Sequence, residues 1–322
     1  MRSFTFLPAL LLATVPAWAQ QAGPAEFSAA LPLGITVDGQ HMPISANAKV
    51  FGSVVSAESC VYDATRDLVM VVNRGGMQTE TPNDGFVTLL NRDGSVHTLS
   101  WIGANRTGLV LNQPFGSDIH DGRLYVADSD GGTADGAPRV AVLRTFDIAT
   151  GRPLGSTTYA QSAWFNDIAV AQDGTVYASQ TGTADGQTPG RLFRIPPDGE
   201  ATILVDGAPL ARPNGVAIDP DGNVVVGNMD DHSILTFSPD GELLKTERSA
   251  QTGSDGLVIL PDGQKLISSV LQGGITRLRP GQEPELIATN LPNAASMCYD
   301  PVERQLFIPL NINNAIAIVK VP

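Results

Sequence analysis

Residues 214–228 read NGVAIDPDGNVVVGN. One apolar stretch runs into Asp-Pro-Asp-Gly-Asn and a second leaves it. Two apolar strands on either side of an Asp-Gly turn make a β-hairpin, because Gly accepts positive φ and Asp bonds its own backbone. The pattern recurs along the chain. Residues 166–179 read NDIAVAQDGTVYAS, 255–268 read DGLVILPDGQKLIS, and 117–127 are a shorter version, SDIHDGRLYVA. Residues 58–73 (ESCVYDATRDLVMVVN) carry a longer turn, and 295–309 (ASMCYDPVERQLFIP) end the series.

A further strand and a second turn follow the hairpins, as in LFRIPPDGEATILV (192–205) and ILTFSPDGELLKT (234–246). Units begin near positions 58, 117, 166, 214, 255 and 295, a period of roughly 40 to 60 residues, which is that of propeller blades. The expected fold is therefore all-β, a six-bladed β-propeller with four antiparallel strands per blade. A β-sandwich with similar hairpins is the competing arrangement. Residues 47–56 (NAKVFGSVVS) have no hairpin of their own and are expected to add an outer strand to the last blade, closing the ring. Residues 20–30 read as an irregular lead-in. The loops DSDGGTADGAPR (128–139) and QTGTADGQTPGR (180–191) are expected over one mouth of the channel.

Thirty-three acidic against 20 basic residues leave the chain at −13. That balance argues against nucleic acid and anionic membranes, whose phosphates are bound by Lys and Arg, and it suits a protein that holds a hard cation. Arg2, the apolar run 4–16 and the small-x-small site Ala17-Trp18-Ala19 read as a bacterial signal peptide over residues 1–19. Residues 20–322 are then a single exported domain, periplasmic or secreted. No other apolar stretch approaches the ~20 residues of a membrane helix, so no membrane anchor is expected after cleavage. The expected partner is a small molecule and the expected state a monomer. Cys60 and Cys298 are the two cysteines. They fall on the first strands of the first and last blades with opposite parity, so a disulfide across the closure and a pair of buried thiols are both open.

Four blades begin with an oxygen donor: Glu58, Asn166, Asn214 and Asp255. First strands line a propeller's channel, so equivalent positions on different blades converge on the axis. Two carboxylates and two amides form a hard oxygen set suited to Ca²⁺, with Mg²⁺, Mn²⁺ or Zn²⁺ as alternatives. Singly, an Asn or Asp ahead of a strand is a turn residue. Four in register are not accounted for by turns.

ESCVYD, FNDIAVAQDGTVYAS, PNGVAIDPDG and SDGLVILPDG resemble the metal-binding motifs of the regucalcin/gluconolactonase family of six-bladed propellers, whose relatives include diisopropyl fluorophosphatase and the paraoxonases. The resemblance runs from about Glu58 to the C-terminus. It implies a lactone or ester hydrolase in which Glu58, Asn214 and Asp255 hold one divalent cation. It further implies that Asp255 acts as general base or nucleophile, and that Asn166 either joins the metal or faces the substrate. Sugar-lactone hydrolases of the family tend to carry Arg where this chain has Trp164, so Trp164 either packs or lines a less polar substrate site. His120 is a candidate substrate contact and His232 a loop histidine that either shuttles protons or stays in solvent. Gly-x-Ser-x-Gly, P-loop and His-Glu-x-x-His motifs are absent. A non-catalytic, metal-stabilised binding propeller is the alternative to the hydrolase.

Overall fold

The computed structural model describes residues 34–37, 40–76, 82–133, 136–198 and 200–322. Residues 1–19, where a signal peptide is expected, and the lead-in at 20–30 lie outside them.

Six four-stranded antiparallel sheets form the ring. Their inner strands are Ala57–Asp63, Ser117–His120, Ile168–Val170, Pro213–Ile218, Ser254–Ile259 and Cys298–Asp300. Each turns tightly into a second strand. Gly174, Gly222 and Gly263 take φ of 84°, 83° and 81° in those turns, the left-handed backbone that the Asp-Gly pattern implies.

The second strands Leu68–Asn73, Val176–Gln180, Val224–Asn228, Lys265–Ser269 and Gln305–Leu310 are buried along their whole length. They lie deep in the wedge, with a neighbouring blade on each face, which is why they read as continuous apolar runs. Val224 and Val226 pack toward the third blade and Val225 toward the fifth. Among the described residues the apolar core divides into six clusters, one at each blade-to-blade seam. Outer strands such as Pro153–Tyr159 and Leu243–Arg248 face solvent, and their sequences are correspondingly mixed.

The ring closes as expected. Ala48–Phe51 pairs antiparallel with Ala315–Lys320, placing Ala48 opposite Val319 and Phe51 opposite Ile316. An N-terminal strand thus completes the C-terminal blade as its outermost strand and joins the two ends of the ring. The same seam carries the Cys60–Cys298 disulfide, with Cα atoms 5.4 Å apart. It joins residues 238 positions apart, so it removes much of the unfolded chain's freedom. Replacing both cysteines with Ser is expected to cost about 2–5 kcal/mol, read as a lower urea midpoint. An unchanged midpoint would show that the seam holds without it.

Candidate active site

Glu58, Asn214 and Asp255 each occupy the second position of their inner strand, and Asn166 lies just ahead of Ile168–Val170. The four therefore stand at one end of the channel. Each is fastened there by the preceding blade. The Glu58 carbonyl accepts from Ser296 N–H (3.1 Å) and that of Asn166 from Gly116 N–H (2.8 Å). The Asn214 carbonyl accepts from Ser179 Oγ (2.5 Å). The Asp255 carbonyl lies against Gly215, where an added β-carbon would collide with it. The glycine of the Asn-Gly pair is therefore required for close approach between blades rather than for a turn.

Glu58, Asn214 and Asp255 are buried. Burial pushes the Asp255 carboxyl well above the usual range, and the negative charges of Glu58 and Asp167 push it further. Glu58 is raised by burial too, against the opposing pull of Arg74. Two carboxylates that repel each other in a dry site call for a positive partner. Asp255 Oδ1 and Asn214 Oδ1 are buried with no hydrogen-bond partner, whereas buried polar atoms are ordinarily satisfied. Orphaned oxygens beside acids would suit a hard cation. Among the described residues no three His, Cys, Asp or Glu side chains are grouped as a metal cluster. The remaining oxygens of this set are amides.

A second ring of side chains overlies the first. It comes from the residue immediately after the second strand in four blades, Arg74, Thr181, Met229 and Asn311, a position with no motif of its own in the sequence. Backbone bonds place these residues: Arg74 N–H to Ser56 carbonyl (3.1 Å), Met229 N–H to Arg212 carbonyl (3.0 Å) and Asn311 N–H to Asn293 carbonyl (3.1 Å). Arg74 Nη1 reaches Glu58 Oε2 at 3.4 Å, and Asn311 Nδ2 donates to the same oxygen. Asn166 Nδ2 donates to Thr181 Oγ1 (2.7 Å). Met229 sulfur lies 3.5 Å from Asn214 Nδ2.

Trp164 packs into the seam between the second and third blades, and the Arg139 guanidinium lies over its ring at 5.2 Å. Burial and the charge of Arg74 lower Arg139 to about 10. His120 is not brought to this end. It closes its strand at the hairpin, opposite Arg123, as Asp63 closes its own opposite Leu68. His232 keeps Nδ1 on the Ser249 carbonyl (3.0 Å).

A cavity of about 680 Å³ occupies the hairpin end of the channel, with Asp63, Asp118, Asp167, Ile218 and Ile259 in its wall. Asp118 and Asp167 bridge inner strands, accepting from Val170 N–H (2.7 Å) and Val216 N–H (3.0 Å). Confinement raises them to about 6 and about 7.

Residues 56–310 match the family described as the SMP-30/Gluconolactonase/LRE-like region. The chain belongs to that family. A comparison with curated protein sequences returns no match. Among solved structures the chain is similar to a gluconolactonase from Xanthomonas campestris, with a TM-score of 0.60 and 18% identity over 94% of this chain and 99% of that one. It is also similar to a structural-genomics structure described as being of the gluconolactonase family, with a TM-score of 0.57 and 17% identity over 86% of this chain and 93% of that one. At these identities the two structures speak to the fold.

Gly215→Ala is expected to destabilise the protein by about 1–3 kcal/mol, because a β-carbon there displaces the Asp255 carbonyl. Chemical denaturation would read the loss, and wild-type stability would remove the glycine from this role. Asp118 gives a pH signature. Its folded pKa of about 6 exceeds the 3.8 of an ordinary aspartate, so the folded chain binds the extra proton between those values. Its contribution is present at the acid end and is lost as pH rises through about 6. Asp118→Asn should flatten the fall in melting temperature over that window. An unaltered slope would assign the fall to other groups.

Proposed function

We propose that this protein is a divalent-cation-dependent hydrolase of a lactone or related ester, exported from the cell. The observation that carries the reading is the pair of orphaned buried oxygens, Asp255 Oδ1 and Asn214 Oδ1, beside the strained carboxylate pair Glu58 and Asp255. Family membership supplies the reaction class. Glu58, Asn214 and Asp255 would hold the cation, Ca²⁺ foremost among hard divalent ions, with Asn166 as the nearest further amide. When bound, the cation supplies Lewis acidity toward the scissile carbonyl.

The chain's own groups do the rest. Asp255 is the base. Its carboxyl is enclosed at the level of Glu58 and Asn214, and in its ionised form it would take a proton from an attacking water and return it to the leaving alkoxide. Asn311 and Arg74 fix the Glu58 carboxylate from the mouth side. Thr181 orients the Asn166 amide by accepting from its Nδ2, which leaves Oδ1 for cation or substrate. Trp164 offers an apolar wall. Export is supported by the small-x-small site at residues 17–19 and by the Cys60–Cys298 disulfide, a bond that persists in oxidising compartments.

Two measurements test this. Chelator-treated protein should hydrolyse lactones of varied ring size once Ca²⁺, Mg²⁺, Mn²⁺ or Zn²⁺ is restored, and Asp255→Asn should lower kcat/KM by about 10²-fold or more. The cation should also raise the melting temperature by mass action, and Glu58→Gln should abolish that rise. No turnover of any lactone or aryl ester with any of the four cations would sink the hydrolase, and no thermal response would sink the metal site.

A further inference from the structure

Two arginines flank one aromatic ring at the mouth. The Arg74 guanidinium lies 4.8 Å from the Phe115 ring centre and that of Arg139 5.3 Å from it. Arg139 also covers Trp164 at 5.2 Å. Like charges gathered on one ring repel, and ring faces compensate them only partly. Among the described residues the acids of the second blade nearest Arg139 are paired with another cation. Asp128 and Asp130 are both paired with Arg144, and Asp128 additionally accepts from Asn112 and Gln113 N–H, which fastens the loop bearing Phe115. Arg139 forms no ion pair among the described residues, and its Nε is taken up by Ser129 Oγ (2.9 Å). Arg139 Nη2 and Arg74 Nε are enclosed with no hydrogen-bond acceptor. Arg74 has Glu58 as its partner at 3.4 Å, so Arg139 is the under-compensated cation beside the candidate site.

We propose that Arg74 and Arg139, held on Phe115 and Trp164, are a clamp for an anionic group on the substrate, and that the site takes a lactone bearing its own carboxylate. The inference rests on the hydrolase reading above. A neutral polyol lactone brings no charge to this pair, whereas a carboxylate would accept from both planar guanidinium forks. Arg74 touches Glu58, so the clamp stands one side chain away from the base. The ring of Trp164 holds a guanidinium delivered from the neighbouring blade.

The test compares γ-butyrolactone with the same ring carrying a carboxylate on the carbon next to the ring oxygen. Wild-type kcat/KM should favour the carboxylate by at least about tenfold. Arg139→Gln should cut that ratio roughly tenfold to a hundredfold, Arg139→Lys should keep part of it, and added salt should raise KM for the anionic lactone alone. Equal turnover of both lactones by the wild type overturns the clamp, as does a ratio that Arg139→Gln leaves intact. If neither lactone is hydrolysed the hydrolase reading fails separately, and calorimetry with glutarate decides the clamp. Binding that Arg139→Gln weakens at least tenfold supports it. No glutarate binding by the wild type overturns it.

Discussion

The close contact of each inner strand with the blade before it is the constraint on which the site depends. At one level of the channel the carbonyls of Glu58, Asn166 and Asn214 are each held by a donor on the preceding blade, and Asp255 is held by contact with a glycine there. Ser59 Oγ to the Phe115 carbonyl (2.6 Å) and Ser268 Oγ to the Ala295 carbonyl (2.8 Å) continue the belt. With the backbone carbonyl engaged, a short side chain has few directions left. Two acids that repel can be kept at one depth only if neither strand can slide away. The belt opposes that slip, and the seams of apolar side chains outside it supply the cohesion.

Much of this was legible in the sequence, for a definite reason. A blade is a local object: its hairpins repeat the same alternation and the same Asp-Gly turn, so VVVGN and LVMVVN announce strands buried on both faces without knowledge of their partners. The depth of Glu58, Asn166, Asn214 and Asp255 follows once the repeats are aligned. The closing strand at 48–51 was readable because it was left over. Strand parity allowed the disulfide without deciding it, and the structure shows the bond where free thiols were the alternative.

What stayed hidden depends on contacts between units. Arg74, Asn311 and Met229 follow second strands of different blades, and no repeat marks them because each has a different side chain there. Arg139 sits in a loop that reads only as Gly- and Asp-rich, and its ring partners, Phe115 and Trp164, lie outside that loop. His120 shows the opposite failure. Its position near a blade start suggested the site, but the second blade's hairpin turns early and leaves it at the other mouth. A later Asp-Gly in the repeat would have placed it with the acids.

Closure by the first strand has a consequence for how the molecule comes into being. The strand at Ala48–Phe51 precedes the first five blades in the chain, and its hydrogen-bonding partner, Ala315–Lys320, follows them. Five blades can pair from neighbours in the sequence as they emerge. The sixth waits for residues 315–320, and with it wait the Ser296–Glu58 bond and the Asn311 contact. The Glu58 side of the candidate site is therefore assembled after the other blades, and a chain lacking residues 315–320 would carry five finished blades and a Glu58 without its partners from the sixth.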